Sequence, residues 1–179
     1  MEKTNPENVL KFCPKCGSRR FVPKGDRSFR CDDCGFHFYI NSASAVAALI
    51  INENDELLLT RRGIEPGKGM LDLPGGFVNP GERAEDAVVR EIKEELNLEV
   101  TDYQFLASYP NEYIFSGYKV YTTDIGFLCK VRTIEAISAK DDVNGYEFVK
   151  RGSIDYSDIC GASIRLLVRY YFDHGKSLE

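Results

Sequence analysis

Three glutamates, Glu91, Glu94 and Glu95, lie in a segment whose apolar residues recur with helical spacing. On a helix of about 100° per residue, Glu91 and Glu95 fall within the apolar arc and Glu94 falls at its edge. Two carboxylates roughly 5–6 Å apart at Cβ repel by roughly 3 kcal/mol at an effective dielectric near 20. A divalent cation turns that repulsion into attraction, and ligands that are all oxygen favour Mg²⁺, then Mn²⁺. The spacing therefore predicts a metal site.

The alternative is a solvated surface helix in which Arg90 and Lys93 pair with the glutamates. A glycine-rich loop immediately upstream, residues 73–82 (LPGGFVNPGE), argues against that interpretation. Loop glycines allow backbone groups to approach a bound ion or a phosphate closely. We therefore expect the loop and the helix to form one site.

Residues 76–98 resemble the signature of the Nudix hydrolases, G-x5-E-x7-R-E-U-x-E-E-x-G-U, where U is apolar. One constrained position differs, because Asn97 stands where the family usually carries glycine. Asparagine is the non-glycine residue best suited to the left-handed conformation that ends a helix. The resemblance implies an α/β/α sandwich with a mixed sheet and a metal-dependent hydrolysis of a pyrophosphate bond.

The resemblance also implies catalytic roles for individual residues. Glu91, Glu94 and Glu95 would hold the metal ion together with the carbonyl group of Gly75. Glu147 lies in a late segment that, in several Nudix enzymes, supplies a further metal ligand or the catalytic base. The ion would neutralise phosphate oxygens and activate a water, and a glutamate would take the proton of that water without a covalent intermediate.

Other charged residues are implied to have supporting or binding roles. Glu82 and Arg90 would orient the loop and the helix. Arg61 and Arg62 end a predicted strand where related enzymes often place an arginine that binds substrate. Solvated charges at a strand end are the alternative for both, since surface arginines are common.

Two Cys-x-x-Cys pairs, Cys13 with Cys16 and Cys31 with Cys34, have residues 17–30 between them. This pattern is typical of a zinc site with four thiolates, and a redox pair or a rubredoxin-type iron site is the alternative. Fewer than about 40 residues cannot bury enough surface to fold unaided, whereas structural zinc supplies roughly 10–16 kcal/mol. We therefore expect structural Zn²⁺, with His37 less favoured as a ligand.

The composition is that of an ordinary globular chain of 179 residues with 43% hydrophobic and 28% charged residues. A net charge of −5 argues against nucleic-acid binding by the whole chain. Neither a signal peptide nor a long apolar run is found in the sequence, which predicts a cytoplasmic location. Cys129 and Cys160 are expected to be packing residues.

The predicted domains are a loose tail (1–11), a zinc ribbon (12–39) and a Nudix hydrolase domain (40–179). Apolar periodicity and turn residues place the elements of that domain. The predicted strands are 45–51, 57–62, 103–109, 112–116, 119–130 and 145–149, and the predicted helices are 84–96 and 161–173.

A ribbon before a Nudix domain is similar to the architecture of NADH pyrophosphatases, and residues 37–41 (HFYIN) are similar to their join. Those enzymes carry Ser-Gln-Pro-Trp-Pro-Phe-Pro after the signature, whereas residues 108–113 read SYPNEY and the chain has no tryptophan. NADH, ADP-ribose, FAD, dinucleoside polyphosphates and sugar nucleotides therefore remain candidate substrates. Tyr113 is a candidate to stack on the base, and strand packing is its alternative role.

The expected partner is a small nucleotide, with a homodimer as an option and neither membrane nor nucleic acid expected. Two further functions are open. The protein would be a sensor that binds nucleotides without cutting them, or the locally basic ribbon would bind nucleic acid.

Overall fold

The computed structural model describes residues 3–25, 27–138 and 143–174. The chain divides into two compact units, Met1–Ser42 with Glu112–Tyr121, and Ala43–Asn111 with Thr122–Glu179. The domain boundaries predicted from the sequence remain a proposal. The observed division differs from them, because Glu112–Tyr121 belongs to the N-terminal unit. None of the helices in the described ranges has the length and hydropathy of a membrane span.

The N-terminal unit contains a short helix and a three-stranded antiparallel sheet of order β1-β2-β3. Its elements are α1 (Pro6–Val9), β1 (Phe21–Pro23), β2 (Ser28–Cys31) and β3 (His37–Tyr39). Phe21 and Phe29 stack at 4.9 Å between ring centroids and form its buried centre with Cys13 and Cys31.

Helix α1 lies in the segment that the sequence analysis predicts to be a loose tail. Asn5 caps it, because its Oδ1 accepts a hydrogen bond from the backbone N–H of Glu7, and Pro6 occupies the first turn. An asparagine cap followed by proline is a signal for the start of a helix. This signal favours a helix in place of the predicted loose tail.

The C-terminal unit is built from two sheets and two helices, and two of its strands have their ends in the segment Glu112–Tyr121 of the N-terminal unit. The strands β4, β7, β8 and β9 form a sheet of order β7-β4-β9-β8, in which β4 is parallel to β9 and antiparallel to β7. The second sheet has the order β10-β5-β6. The elements are β4 (Ala43–Ile50), β5 (Leu57–Arg62), β6 (Leu71–Asp72), β7 (Gly75–Phe77), α2 (Ala84–Leu96), β8 (Val100–Phe115), β9 (Tyr118–Val131), β10 (Val143–Val149), a 3-10 turn (Tyr156–Asp158) and α3 (Ala162–His174).

Strand β4 is buried on both faces, which explains its nearly continuous apolar sequence. Its even-numbered side chains, such as Ala48, pack with Ile92 of α2. Its odd-numbered side chains, such as Leu49, pack with Leu167 of α3. Helices therefore cover opposite faces of a mixed sheet, and the predicted α/β/α sandwich is confirmed.

Strand β8 differs from the prediction, because Val100–Phe115 form one strand where two were expected around Pro110. β8 lies at the edge of its sheet, and a proline at an edge removes no ladder hydrogen bond. Ser116 and Gly117, both with positive φ, form the two-residue turn that leads into β9. The short strands β6 and β7 were not predicted.

Helix α2 has the predicted bounds, and Asn97 ends it in the left-handed conformation with φ 57° and ψ 22°. The backbone N–H of Asn97 donates to the carbonyl oxygen of Lys93 at 3.1 Å. The ammonium of Lys93 donates in turn to Oδ1 of Asn97 at 3.0 Å. Asn97 thus ends the helix in the left-handed conformation that the sequence predicts for this position.

We expect Asn97→Ala to lower the free energy of unfolding by about 1 kcal/mol, since an ordinary side chain loses about that amount in the left-handed region. Asn97→Gly is the matched control and should stay within about 0.5 kcal/mol of the parent protein, because glycine adopts this conformation freely. Urea denaturation of the three proteins measures both changes. Equal losses in the two variants would contradict this account of the terminus.

Candidate active site

The glycine loop and helix α2 meet at the start of β7. Gly76 lies opposite Val46 of β4, and a Cβ at position 76 would come within 2.7 Å of Oε1 of Glu91. The backbone N–H of Gly75 donates to Oε2 of Glu95 at 3.0 Å. Glycine is required at position 76 because a Cβ there would collide with the carboxylate of Glu91, and at position 75 because a Cβ there would collide with the carbonyl oxygen of Val46. The structure thus brings Gly75, Glu91 and Glu95 together, as the sequence predicts.

Arg90 connects the remaining carboxylates of the loop and the helix. Its Nε and Nη2 donate to the two oxygens of Glu82 at 2.8 and 2.9 Å. Its Nη1 donates to Glu91 at 2.7 Å and to Glu94 at 3.0 Å. Nη2 also donates to the carbonyl oxygen of Phe77 at 3.0 Å. One guanidinium therefore holds three carboxylates and a carbonyl of β7, a geometry that fits the orienting role expected for Glu82 and Arg90.

These contacts shift the pKa values of two of the glutamates in opposite directions. Burial raises the pKa of Glu91, although Arg90 partly opposes the shift. Hydrogen bonds from Arg90 and from the backbone N–H of Asn79 lower the pKa of Glu82 to about 2. Glu82 is thus a fixed anion, whereas Glu91 is a poorly solvated carboxyl group that gains from a cation beside it.

The donor types at this site fit a hard divalent cation. Glu91, Glu94 and Glu95 offer carboxylate oxygens and Gly75 offers a carbonyl oxygen, the ligands that Mg²⁺ and Mn²⁺ prefer. Within the described ranges, the four cysteines alone are gathered closely enough to form a metal-binding cluster. The glutamates contact Arg90 and the loop instead, so an ion at this site would replace part of the contacts of Arg90.

Arg61 and Glu147 meet across the β5–β10 pair. Nη2 of Arg61 donates to Oε1 of Glu147 at 2.5 Å, and Nη1 donates to the carbonyl oxygen of Gly69 at 3.0 Å. Both side chains are exposed, with 48% and 40% of their areas accessible. The structure thus joins two residues that the sequence analysis singled out separately.

Arg62 occupies a different environment from Arg61. Its Nη1 donates to Oδ2 of Asp72 at 2.6 Å and its Nε to the carbonyl oxygen of Pro66 at 2.8 Å. Burial raises the pKa of Asp72 to about 6 even though Arg62 opposes the shift. Arg62 thus holds the chain between β5 and β6. Asp72 is not among the predicted site residues, and the signal for it was a charged residue between two leucines, both of which are buried.

Tyr113, the predicted stacking residue, lies in β8 within the segment Glu112–Tyr121 of the N-terminal unit. It is partly buried there. The candidate metal ligands belong to the other unit. The role of Tyr113 in substrate binding stays a prediction.

The four predicted zinc ligands converge. The sulfurs of Cys13, Cys16, Cys31 and Cys34 lie within 4.8 Å of one another, with 3.7 Å between Cys13 and Cys34. Each Cys-x-x-Cys turn is closed by a following glycine with positive φ, whose N–H donates to the carbonyl oxygen of the first cysteine. Four thiolates at these distances fit tetrahedral zinc. His37 lies outside the cluster, hydrogen-bonded at 2.9 Å to a hydroxyl of β2.

Comparisons with known proteins agree on one family. A model described as the NUDIX domain matches residues 41–160. An NAD-capped RNA hydrolase NudC of Pseudomonas aeruginosa (strain LESB58) is 32% identical over 98 residues, 55% of this chain and 34% of that protein. Nudix hydrolase 19, chloroplastic, of Arabidopsis thaliana is 38% identical over 106 residues, 58% of this chain and 24% of that protein. The chain thus covers about a third or less of the length of these relatives.

Solved structures share the fold. The crystal structure of a NUDIX hydrolase from Nitrosomonas europaea has a TM-score of 0.69 and 24% identity, covering 92% of this chain and 91% of that chain. A bifunctional NMN adenylyltransferase/ADP ribose pyrophosphatase from Francisella tularensis has a TM-score of 0.57 and 20% identity, covering 78% of this chain and 43% of that chain. At these identities the likeness establishes the architecture.

We expect Glu82→Gln to lower stability towards urea at neutral pH, because the variant loses the charge-assisted bonds to Arg90. The pKa of Glu82 is about 2 in the folded protein and about 4.3 in an unfolded chain. Its contribution is therefore complete above roughly pH 5 and is lost as the pH falls towards about 2. Denaturation at several pH values should show the difference between the two proteins shrinking across that window.

Glu53→Gln, at an exposed turn position, controls for the removal of one negative charge. A deficit of Glu82→Gln that is independent of pH between 5 and 2 would contradict the assigned role of the Glu82–Arg90 pair.

The purified protein should contain one zinc ion per chain. Cys16→Ser should contain no zinc, and its N-terminal unit should no longer unfold cooperatively. Cys129→Ala and Cys160→Ala should keep the zinc content of the parent protein. Burial raises the pKa of Cys129 to about 12, so its thiol does not compete for the metal. Elemental analysis by mass spectrometry measures the metal. Iron in place of zinc would support the rubredoxin-type alternative, and a chain free of metal would overturn both.

Proposed function

The chain belongs to the Nudix family, and on that premise we propose that it hydrolyses the pyrophosphate bond of a nucleoside diphosphate linked to a second group. The observation that carries the proposal is the close approach of the loop backbone at Gly75 and Gly76 to the carboxylates of Glu91 and Glu95. An ordinary surface helix has no reason to place glutamates beneath a glycine loop.

Glu91, Glu94, Glu95 and the carbonyl of Gly75 would hold Mg²⁺ or Mn²⁺, and the ion would supply Lewis-acid chemistry towards the phosphate oxygens and the attacking water. The protein contributes the position of the carboxylates. The backbone N–H of Gly75 fixes one oxygen of Glu95. A carboxylate of the site takes the proton of the attacking water, and Glu147 is the candidate for that base.

Arg90 keeps this arrangement stable in the absence of the ion. Its bidentate bond to Glu82 is independent of the bonds it makes to Glu91 and Glu94. When the two helix glutamates turn to a cation, Arg90 therefore retains a carboxylate partner and stays in place. We assign Arg90 and Glu82 as positioning residues on this ground.

Of the two arginines at the end of β5, Arg61 is the better candidate to bind substrate. Arg61 is exposed and bound to a single carboxylate oxygen, whereas the buried bonds of Arg62 to Asp72 and Pro66 hold the chain itself. An arginine that already closes a buried ion pair would leave Asp72 as an uncompensated charge if it moved. Arg62 therefore has a structural role, because its bonds hold Asp72 and Pro66.

For the substrate we favour a dinucleotide or a nucleotide with a linked sugar, such as NADH, ADP-ribose or FAD. Support comes from relatives named NAD-capped RNA hydrolases. Two of them are identical to this chain at 32% and 34% of the positions in an aligned segment of 98 residues. The family element with tryptophan is absent here, so Tyr113 is the proposed base-stacking residue. Zn²⁺ has a structural role in this proposal, the protein acts in the cytoplasm, and a homodimer is its proposed assembly.

Nucleic-acid binding by the N-terminal unit is the second candidate. It is favoured by the guanidinium of Arg19, which lies 5.4 Å from the centroid of the exposed ring of Phe12. Exposed rings beside arginines are suited to stacking on single-stranded bases. A salt-dependent shift of a labelled RNA or DNA would reveal this activity, whereas turnover that needs a metal ion identifies the enzyme.

We expect a screen of nucleotides with Mg²⁺ or Mn²⁺ to find cleavage at a pyrophosphate bond, abolished by EDTA. Glu95→Gln should lower kcat at least about 100-fold, since weakened metal binding removes several kcal/mol of charge stabilisation. Glu85→Gln is the matched control, because Glu85 lies in the first turn of the same helix and pairs with Arg83 at 3.5 Å. Its turnover should equal that of the parent protein.

Chromatography of the products identifies the bond that is cut. Binding of the same nucleotides without any turnover would identify a sensor instead, and parental turnover in Glu95→Gln would remove that residue from the metal site.

A further inference from the structure

Arg61 and Glu147 form an ion pair whose geometry is set by the register of two neighbouring strands. Arg61 of β5 lies opposite Gly145 of β10, and Glu147 lies opposite Leu59. The two charged residues are therefore diagonal neighbours on the same face of the sheet. Their contact depends on the sheet and not on a flexible loop.

Another anion can readily replace Glu147 as the partner of Arg61. Both side chains are exposed to water over 40% or more of their area, and an exposed ion pair contributes little to stability and is screened by salt. Only Oε1 of Glu147 is engaged by Arg61, so the contact uses one donor of a guanidinium that can make two parallel bonds. A phosphate group presents two oxygens at the spacing of the guanidinium fork and carries more charge than a carboxylate.

The adjacent Arg62 provides an internal comparison. Its carboxylate partner, Asp72, is mostly buried, with 14% of its side chain accessible, and a carbonyl of the chain holds the same guanidinium. The carboxylate partners of these two consecutive arginines therefore differ in their exposure to water. Arg62 is fixed, whereas Arg61 retains a partner that can leave.

The strand opposite Arg61 leaves room for a ligand. A Cβ built on Gly145 would meet no described atom within 4 Å. The pairing of β10 with β5 is also irregular between Val143 and Gly145, and bulges of this kind often lie beside binding sites. The second bond of Arg61, to the carbonyl of Gly69, keeps the guanidinium in place when Glu147 departs.

We propose that the Arg61–Glu147 pair is an exchangeable latch, in which a phosphate group of the nucleotide replaces Glu147 on Arg61 and thereby releases the carboxylate. No covalent bond changes in this step. The inference rests on the proposed function, because the released Glu147 is the candidate base. The latch makes that carboxylate more available when a phosphate occupies Arg61.

Binding of inorganic pyrophosphate in EDTA, measured by calorimetry at low salt, tests the exchange without turnover. Glu147→Gln should bind pyrophosphate at least about threefold more tightly than the parent protein, because a contact that occupies Arg61 most of the time is removed. Arg61→Gln should bind it more weakly. In the double variant, removal of Glu147 should bring no further gain, because its effect acts through Arg61.

Glu56→Gln is the matched control, since Glu56 pairs with Lys150 at 3.9 Å and its loss changes the net charge equally. A gain in Glu56→Gln equal to that in Glu147→Gln would overturn the latch in favour of a general charge effect. Unchanged or weaker binding by Glu147→Gln would overturn it directly, and so would a gain that persists without Arg61.

Turnover of the parent protein, measured separately, distinguishes the two proposals. Tighter pyrophosphate binding by Glu147→Gln in a chain that cuts no nucleotide would support the exchange and reject the hydrolase. Turnover together with unchanged binding by Glu147→Gln would support the hydrolase and reject the exchange.

Discussion

The guanidinium of Arg90 is the interaction on which the candidate site depends. Three carboxylates of one loop and one helix surround it, and without a cation among them they would repel one another and separate. The same guanidinium binds the carbonyl of Phe77, which ties the charged cluster to β7. β7 in turn pairs with β4, the central buried strand of the mixed sheet. Arg90 therefore ties the carboxylates to the sheet, in addition to the packing of α2 on β4.

Helix α2 was predicted with its observed bounds because both of its determinants are local. An apolar stripe sets its length, and Asn97 supplies the left-handed residue that ends it. Strand β7 was missed for the opposite reason, since Gly75–Phe77 have no alternating pattern and pair only because β4 lies beside them. Two strands, 103–109 and 112–116, were predicted on either side of Pro110, and the tolerance of this proline within β8 depends on β8 being an edge strand. Such positions are decided by tertiary contacts, which a single sequence does not display.

The candidate ligands were likewise predictable where spacing carries the information. The cysteine pairs converge as expected, and Glu91 and Glu95 lie under the glycine loop. The partners of these groups were not predictable. Arg61 and Glu147 are 86 residues apart in the chain and meet only through the register of β5 with β10. Asp72 gained its significance only when the fold buried it beside Arg62.

The N-terminal unit is assembled from two distant stretches of sequence. The backbone N–H of Lys119 donates to the carbonyl oxygen of Thr4 at 2.9 Å, and the turn at Ser116–Gly117 belongs to this unit although the intervening chain belongs to the other. During synthesis on a ribosome, the first stretch must wait until residue 121 has emerged before its unit is complete. Cutting the gene after residue 42 would therefore separate the four-cysteine segment from Glu112–Tyr121, a part of its own unit.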